Sequence, residues 1–209
     1  MSVVARQGFK YSIIGYIGFL IGTISAIFIF PNDFEFYGKL RYILPTAEML
    51  VPFVVLGISY SNVKFFHKVE KDGKKQNMLS LSLAAILFNF CLFSIVFFVI
   101  PYIFPNFKNT EAWKIKKVIL PMILLLSFCA IFNKYTSNYK RIVVSNVFDN
   151  LFPKIANLGA FCLVFYFALS QQIAYAFFFG MFALMLAGYI YYTNKLEKIN
   201  LDFSTDYFK

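Results

Sequence analysis

The sequence predicts an all-α polytopic membrane protein, a bundle of about six transmembrane helices. Hydrophobic residues make up 60% of its 209 residues and charged residues only 14%, whereas a soluble domain carries about 25% charged residues. Helices of about 20 apolar residues cross the hydrocarbon core of a bilayer. The apolar runs lie near residues 11–30, 42–63, 79–103, 118–133, 151–169 and 173–193. No charged linker separates them, so we expect one transmembrane domain over residues 1–209, surrounded by lipid.

The formal net charge of +10 does not indicate a nucleic-acid partner. The basic residues lie in short loops between the apolar runs, where they set membrane topology through the positive-inside rule. They favour the side that holds both termini by about two to one, so we expect both termini in the cytoplasm. The loop 64–77 is the most basic. We interpret its lysines as a topology signal, with a phosphate-binding patch as the alternative.

The first two predicted helices contain the most informative features. Gly18 and Gly22 give the first helix the GxxxG spacing that lets another helix approach closely. A polar turn is predicted next, with Asp33, Glu35, Lys39 and Arg41. The second helix, 42–63, contains Pro45, Pro52 and Glu48. A carboxylate and two prolines in an apolar span are costly unless neighbouring helices or a wet cavity satisfy them, so function is first indicated here.

The remaining helices carry fewer polar residues. Asn89 lies near the middle of the third helix, and Trp113 belongs to a segment expected along the membrane surface. The fourth run, 118–133, is short for a span. The fifth span is placed at 151–169, with residues 142–150 as its cytoplasmic approach.

Several classes of site are not expected. Cys91, Cys129 and Cys162 lie in apolar runs without a CxxC pair, and His67, the only histidine, lies in the lysine-rich loop. This pattern argues against a disulfide framework and a metal site. No nucleophile with a base and no phosphate-binding glycine loop appears, so we expect no enzymatic activity and no cofactor.

Three short motifs suggest a family. The sequence contains Tyr37-Gly38, then Leu56-Gly57, then the basic aromatic exit Lys64-Phe65-Phe66, and a polar segment with a proline at 149–154. This pattern resembles polysaccharide flippases of the multidrug/oligosaccharidyl-lipid/polysaccharide superfamily, in layout over the whole chain and in detail over about the first 60 residues.

The resemblance implies a transporter of the bacterial inner membrane. Members of the family move polyprenyl-diphosphate-linked oligosaccharide repeat units by alternating access, for surface polysaccharides such as lipopolysaccharide. They have two helix bundles with a cationic cavity between them. This chain resembles the amino-terminal bundle, so the resemblance implies either a missing carboxy-terminal lobe, which the polar end at Lys209 favours, or a second subunit.

Two titratable residues are the leading candidates for function. Glu48 is predicted as a proton or sodium site or as the partner of a basic residue; the alternative is an interfacial residue of a helix that starts near Leu50. Lys154, expected about one turn inside the cytoplasmic boundary, either attracts a diphosphate in a cavity or snorkels from lipid. Asp149 either neutralises Lys154 or lies in cytoplasmic water. Glu48 is expected near the opposite leaflet and not in direct contact with this pair.

Other polar residues are weaker candidates. Asn89 is predicted to line a pathway or to hydrogen-bond across helices. Lys10 and Arg41, together with Arg6 and Lys39, flank the first two helices, which the resemblance places beside the cavity; they would steer a diphosphate by long-range attraction or serve topology alone.

Two other functions remain open from the sequence. An ion-coupled drug antiporter of the same superfamily is one, and Glu48 as a coupling carboxylate would favour it. A membrane scaffold subunit without transport is the other. Convergence of Glu48, Asn89 and Lys154 on one inner face would argue against the scaffold.

Overall fold

The computed structural model describes residues 3–139 and 142–203, and all the regular elements in those ranges are helical. The α-helices are α1 (Val3–Ile24), α2 (Phe34–Val55), α3 (Ile58–Lys71), α4 (Lys75–Ile103), α5 (Glu111–Lys114), α6 (Lys116–Ser137), α7 (Ile142–Phe165) and α8 (Gln171–Leu196). Five helical segments of the described ranges are long and apolar enough to cross a membrane, and α2 with α3 makes a bent sixth. The predicted class, an all-α polytopic membrane protein, is confirmed.

Helix α2 begins at Phe34, so the polar turn predicted before residue 42 is wrong. The reason is a cap: the Asp33 carboxylate accepts a hydrogen bond from the Phe36 amide at 3.0 Å, which satisfies a free N–H of the first turn. Lys39 then pairs with Glu35 one turn away at 2.7 Å. Glu48 therefore lies about 21 Å along a helix, and the alternative of a helix starting near Leu50 is also wrong.

The predicted single helix over 42–63 is broken between α2 and α3. Leu56 and Gly57 both adopt left-handed backbone conformations, with φ of 45° and 76°, and α3 leaves at an angle of 50° to α2. Glycine adopts this conformation without a steric penalty and ends a helix. The break frees the carbonyl of Val54, which accepts a hydrogen bond from the Asn89 side chain of α4 at 3.0 Å.

Helix α7 is also longer than predicted. It is continuous from Ile142 to Phe165, so the residues taken as a cytoplasmic approach belong to the helix itself. Lys154 lies about 18 Å from its start, near the middle of the apolar segment Val143–Phe165, and not one turn inside the boundary.

Helix α6 lies at the centre of the bundle. Half of the residues in its most apolar 18-residue stretch are buried, compared with 11–28% in the other spanning segments. Ile119, Met122, Ile123 and Ile131 of α6 are fully buried. The outer spanning helices therefore leave most of their apolar surface available to lipid.

Candidate functional site

A cationic cavity lies between α1, α2 and α7. It has a volume of about 250 Å³, is open on one side, and is lined by both Arg41 and Lys154. Thr23, Tyr37 and Asn157 add polar groups to its wall. The guanidinium of Arg41 lies 5.9 Å from the centroid of the Tyr37 ring, a cation–π contact that orients it.

The glycines of α1 position Lys154. Its aliphatic stem lies against Gly22, where a Cβ atom would be 3.7 Å from its Cε. A Cβ on Gly18 would be 3.0 Å from the Lys154 ammonium nitrogen and 3.3 Å from the Asn150 carbonyl. The GxxxG face predicted for helix packing thus accommodates a lysine between α1 and α7, and a side chain at Gly18 would crowd it.

One wall of the cationic cavity contains a polar atom without a partner. Asn157 is only 9% exposed; its amide nitrogen donates to the Pro153 carbonyl at 2.8 Å, while its Oδ1 accepts no hydrogen bond. A buried acceptor left unpaired costs free energy, so this oxygen is available to a donor on a ligand. The opposite wall includes the first turn of the π-helical segment Ser25–Ile29, a helix type often found at functional sites.

An acidic cavity lies about two turns further along α2, at Glu48. Glu48 and Asp149 both line this cavity of about 210 Å³, together with Asn133 and the buried Cys129. The sequence did not predict this juxtaposition, since Asp149 was expected either beside Lys154 or in cytoplasmic water. Two carboxylates in one cavity repel each other, and a proton or a cation between them relieves the repulsion.

Asp149 is held by its neighbours. It accepts a hydrogen bond from the Asn133 amide of α6 at 2.5 Å and another from the Tyr189 hydroxyl of α8 at 3.0 Å. No ion pair within residues 3–139 and 142–203 joins it to Lys154, so it does not neutralise that lysine. Asn133 and Tyr189 had no signal in the sequence, because their role depends on which helices meet.

The other candidates lie apart from these cavities. Lys10 is exposed on α1 and lines neither of them. Asn89 hydrogen-bonds across helices at the α2–α3 break. Glu48, Asn89 and Lys154 therefore do not converge on one cavity. In the described part of the chain, no group of three or more His, Cys, Asp or Glu residues is placed to hold a metal ion.

The family follows from a comparison with known proteins. The sequence profile of the family described as "Polysaccharide biosynthesis protein" matches residues 8–208, nearly the whole chain. The chain belongs to this family. Its members are polysaccharide and lipid-linked oligosaccharide flippases of the superfamily that the short motifs indicated, a family of transporters and not of enzymes. No curated protein and no solved structure gives a significant match to the chain.

Membership fixes the general role. The chain is a multi-pass membrane protein of a transporter family involved in polysaccharide synthesis. A scaffold without any relation to transport is not supported by this family. The tail around Lys209 lies outside the described residues, as do residues 140 and 141.

Proposed function

We propose that this chain acts as the amino-terminal lobe of a flippase that moves polyprenyl-diphosphate-linked oligosaccharide repeat units across the bacterial inner membrane by alternating access. The observation that carries the proposal is the meeting of Arg41 and Lys154 in one half-open cavity. Lys154 comes from the middle of a spanning segment, where a cation is costly and is retained for a function.

The chemistry of the cationic cavity suits a diphosphate. A planar guanidinium binds phosphate oxygens through paired N–H groups, and an ammonium adds a compact second charge. Both interactions are stronger next to apolar helices than in water, because the local dielectric constant is lower. The unpaired oxygen of Asn157 would accept a hydrogen bond from a sugar hydroxyl next to the diphosphate.

The cavity also suits a partner on its open side. Helices α1, α2 and α7 supply its walls, and no helix from the described ranges closes the remaining side. We propose that a carboxy-terminal lobe or a second subunit supplies the other wall, with both termini of this chain in the cytoplasm. Alternating access then consists of rocking the two lobes about a substrate held between them.

A second candidate function is ion-coupled drug export, and the acidic cavity favours it. Glu48 and Asp149 in one cavity would form the site for a coupling proton or sodium ion. Such a site is equally compatible with a cation-driven flippase. The two functions differ in the substrate cavity, which is cationic in this protein and therefore suits an anionic cargo better than a cationic drug.

A genetic experiment tests the proposal. In bacteria that lack their own flippase, the gene that encodes this chain should restore surface polysaccharide. Arg41→Gln and Lys154→Gln should each reduce the restored amount by about tenfold, as expected for a lost charge-assisted hydrogen bond. Lys108→Gln, an exposed lysine outside the cavity, is the matched control.

The outcomes separate the alternatives. Failure of the intact gene, with the protein present in the membrane, would count against a flippase. Full rescue by both cavity variants would remove the cationic cavity from the mechanism. Resistance to cationic drugs, lost on Glu48→Gln, would favour the antiporter.

A further inference from the structure

A third cavity lies away from both charged cavities, between the bent helix α3 and the start of α4. With a volume of about 470 Å³ it is larger than either of them, and most of its wall is apolar. Its apolar lining consists of Ile58, Phe65, Val69, Met78, Leu81 and Ala85. It begins next to the α2–α3 break and runs along α3 to Lys68, at the lysine-rich, basic end of the bundle. The 50° angle between α2 and α3 therefore helps to form it.

A buried polar group in this groove lacks a partner. Asn62 is 1% exposed, and its Oδ1 accepts a hydrogen bond from the Ser82 hydroxyl of α4 at 3.0 Å. Its Nδ2 has no hydrogen-bond partner, and Asn62 is one of the residues that line the groove. A buried amide N–H left unpaired costs free energy, so Asn62 has a donor for an oxygen atom of a ligand in the groove.

The mouth of the groove is positively charged. Lys68 lines it, and Lys64 and Lys71, four and three residues away, fall on the same stripe of α3. No carboxylate of the described ranges forms an ion pair with any of these three lysines. Helix α3 is amphipathic and carries this lysine stripe, as do helices that lie against anionic lipid.

We propose that this groove binds one anionic phospholipid from the membrane leaflet at the basic end of the bundle. Its phosphate would pair with Lys68, and an ester carbonyl of its glycerol would accept a hydrogen bond from Asn62, about 9 Å deeper along α3. One acyl chain would run along the apolar wall towards Ile58 and Ala85. The bound lipid fills the space between α3 and α4 and so stabilises the bend after Gly57. This site does not depend on the substrate proposed above.

Native mass spectrometry of the purified chain in detergent tests the site. The chain is titrated with phosphatidylglycerol or with phosphatidylcholine of the same acyl chains. We expect phosphatidylglycerol to bind more tightly, and Lys68→Gln to weaken it by about fivefold, the value of one lysine near an anionic lipid. Ala85→Phe fills the groove and should prevent binding of both lipids. Lys108→Gln, at an exposed lysine outside the groove, should change nothing.

Three results would overturn the proposal. One is equal binding of the two lipids by the unaltered chain. Another is competition by inorganic phosphate that removes the difference, which would indicate a plain anion site. The third is a dimer that Ala85→Phe dissociates, which would show that a second copy covers the groove. Lys68 is exposed, so Lys68→Gln decides the question even if Ala85→Phe fails to fold.

Discussion

The cationic and the acidic cavities hold their charged groups in different ways. Lys154 is positioned by packing against glycines, and its ammonium has no carboxylate partner within the described residues. Asp149 is held by hydrogen bonds from Asn133 and Tyr189. The first arrangement leaves a charge free to meet a ligand of opposite sign. The second fixes one carboxylate by hydrogen bonds in the cavity that Glu48 also lines.

Helices α2 and α7 contribute residues to both cavities. Arg41 and Glu48 are seven residues apart on one face of α2, and Lys154 and Asp149 are five residues apart on α7. A shift of α2 relative to α7 would therefore change the two cavities together. This gives a physical route by which cation binding at Glu48 would alter the affinity for an anion at Arg41, since coupling needs a shared element with two arrangements.

The largest expected effect is on stability, at the glycine beside the acidic cavity. A Cβ atom on Gly188 of α8 would lie 2.6 Å from the Phe148 ring of α7, and that ring packs against Tyr189, which holds Asp149. We expect Gly188→Ala to destabilise the chain by about 1–3 kcal/mol, the usual cost of overpacking. Thermal unfolding in detergent measures it.

The matched control is Gly180→Ala, because a Cβ atom there would meet no other atom within 4 Å. Equal midpoints for the two variants would show that α7 and α8 separate easily. Tyr189 would then hold Asp149 only loosely. Asp149 would no longer differ from Lys154 in how firmly its charged group is held.

The second effect concerns cation binding. We expect sodium chloride, compared with choline chloride, or a fall in pH, to raise the thermal midpoint of the chain. In Glu48→Gln, about ten times more sodium should be required for the same rise of the midpoint, because one of the two repelling carboxylates is gone.

Glu111→Gln serves as the reference, since Glu111 is an exposed carboxylate paired with Lys114 outside the cavity. An unchanged response in Glu48→Gln would exclude the acidic cavity as the cation site.

Sequence patterns predicted the fold class and the family, and they failed where tertiary contacts decide. Hydropathy located the spans, but Asp33 capped α2 earlier than apolar content indicated, and Leu56-Gly57, noticed only as a family motif, is where the helix bends. Glu48 and Lys154 were predicted as unusual residues in apolar spans. Asn133 and Asn157, which line the same two cavities, were not predicted, because nothing local distinguishes an asparagine that faces a cavity from one that faces another helix.

The third effect is smaller and concerns the cationic cavity. Gly18→Ala would place a Cβ atom 3.0 Å from the Lys154 ammonium nitrogen, the mobile end of a flexible side chain. We expect the ammonium to move aside at a small cost in stability, since the same Cβ would lie 3.3 Å from the Asn150 carbonyl. The affinity for pyrophosphate, measured by thermal shift, should fall severalfold. Gly15→Ala, which meets no atom within 4 Å, should leave that affinity unchanged. Equal affinities in both variants would mean that the position of Lys154 does not matter for anion binding.

The smallest expected effect concerns Glu197, a carboxylate outside both charged cavities. Partial burial alone would raise the pKa of Glu197, but hydrogen bonds from Tyr139, Lys75 and Gln76 outweigh it and hold this pKa below its ordinary value of 4.5. Lys75 lies 2.9 Å from the Glu197 carboxylate. A carboxyl whose pKa is lowered by folding stabilises the folded state above its ordinary pKa, and this contribution is lost as the pH falls through the lower, folded value.

Glu197→Gln should therefore lower the thermal midpoint slightly at pH 7, and the difference from the unaltered chain should shrink as the pH falls below 4.5. Thermal unfolding of both proteins between pH 7 and pH 3 measures it. Any change of midpoint with pH that survives in Glu197→Gln must come from other groups, and its further loss in the double variant with Glu48→Gln would assign it to the acidic cavity. A constant difference between the two proteins at every pH would contradict the lowered pKa of Glu197.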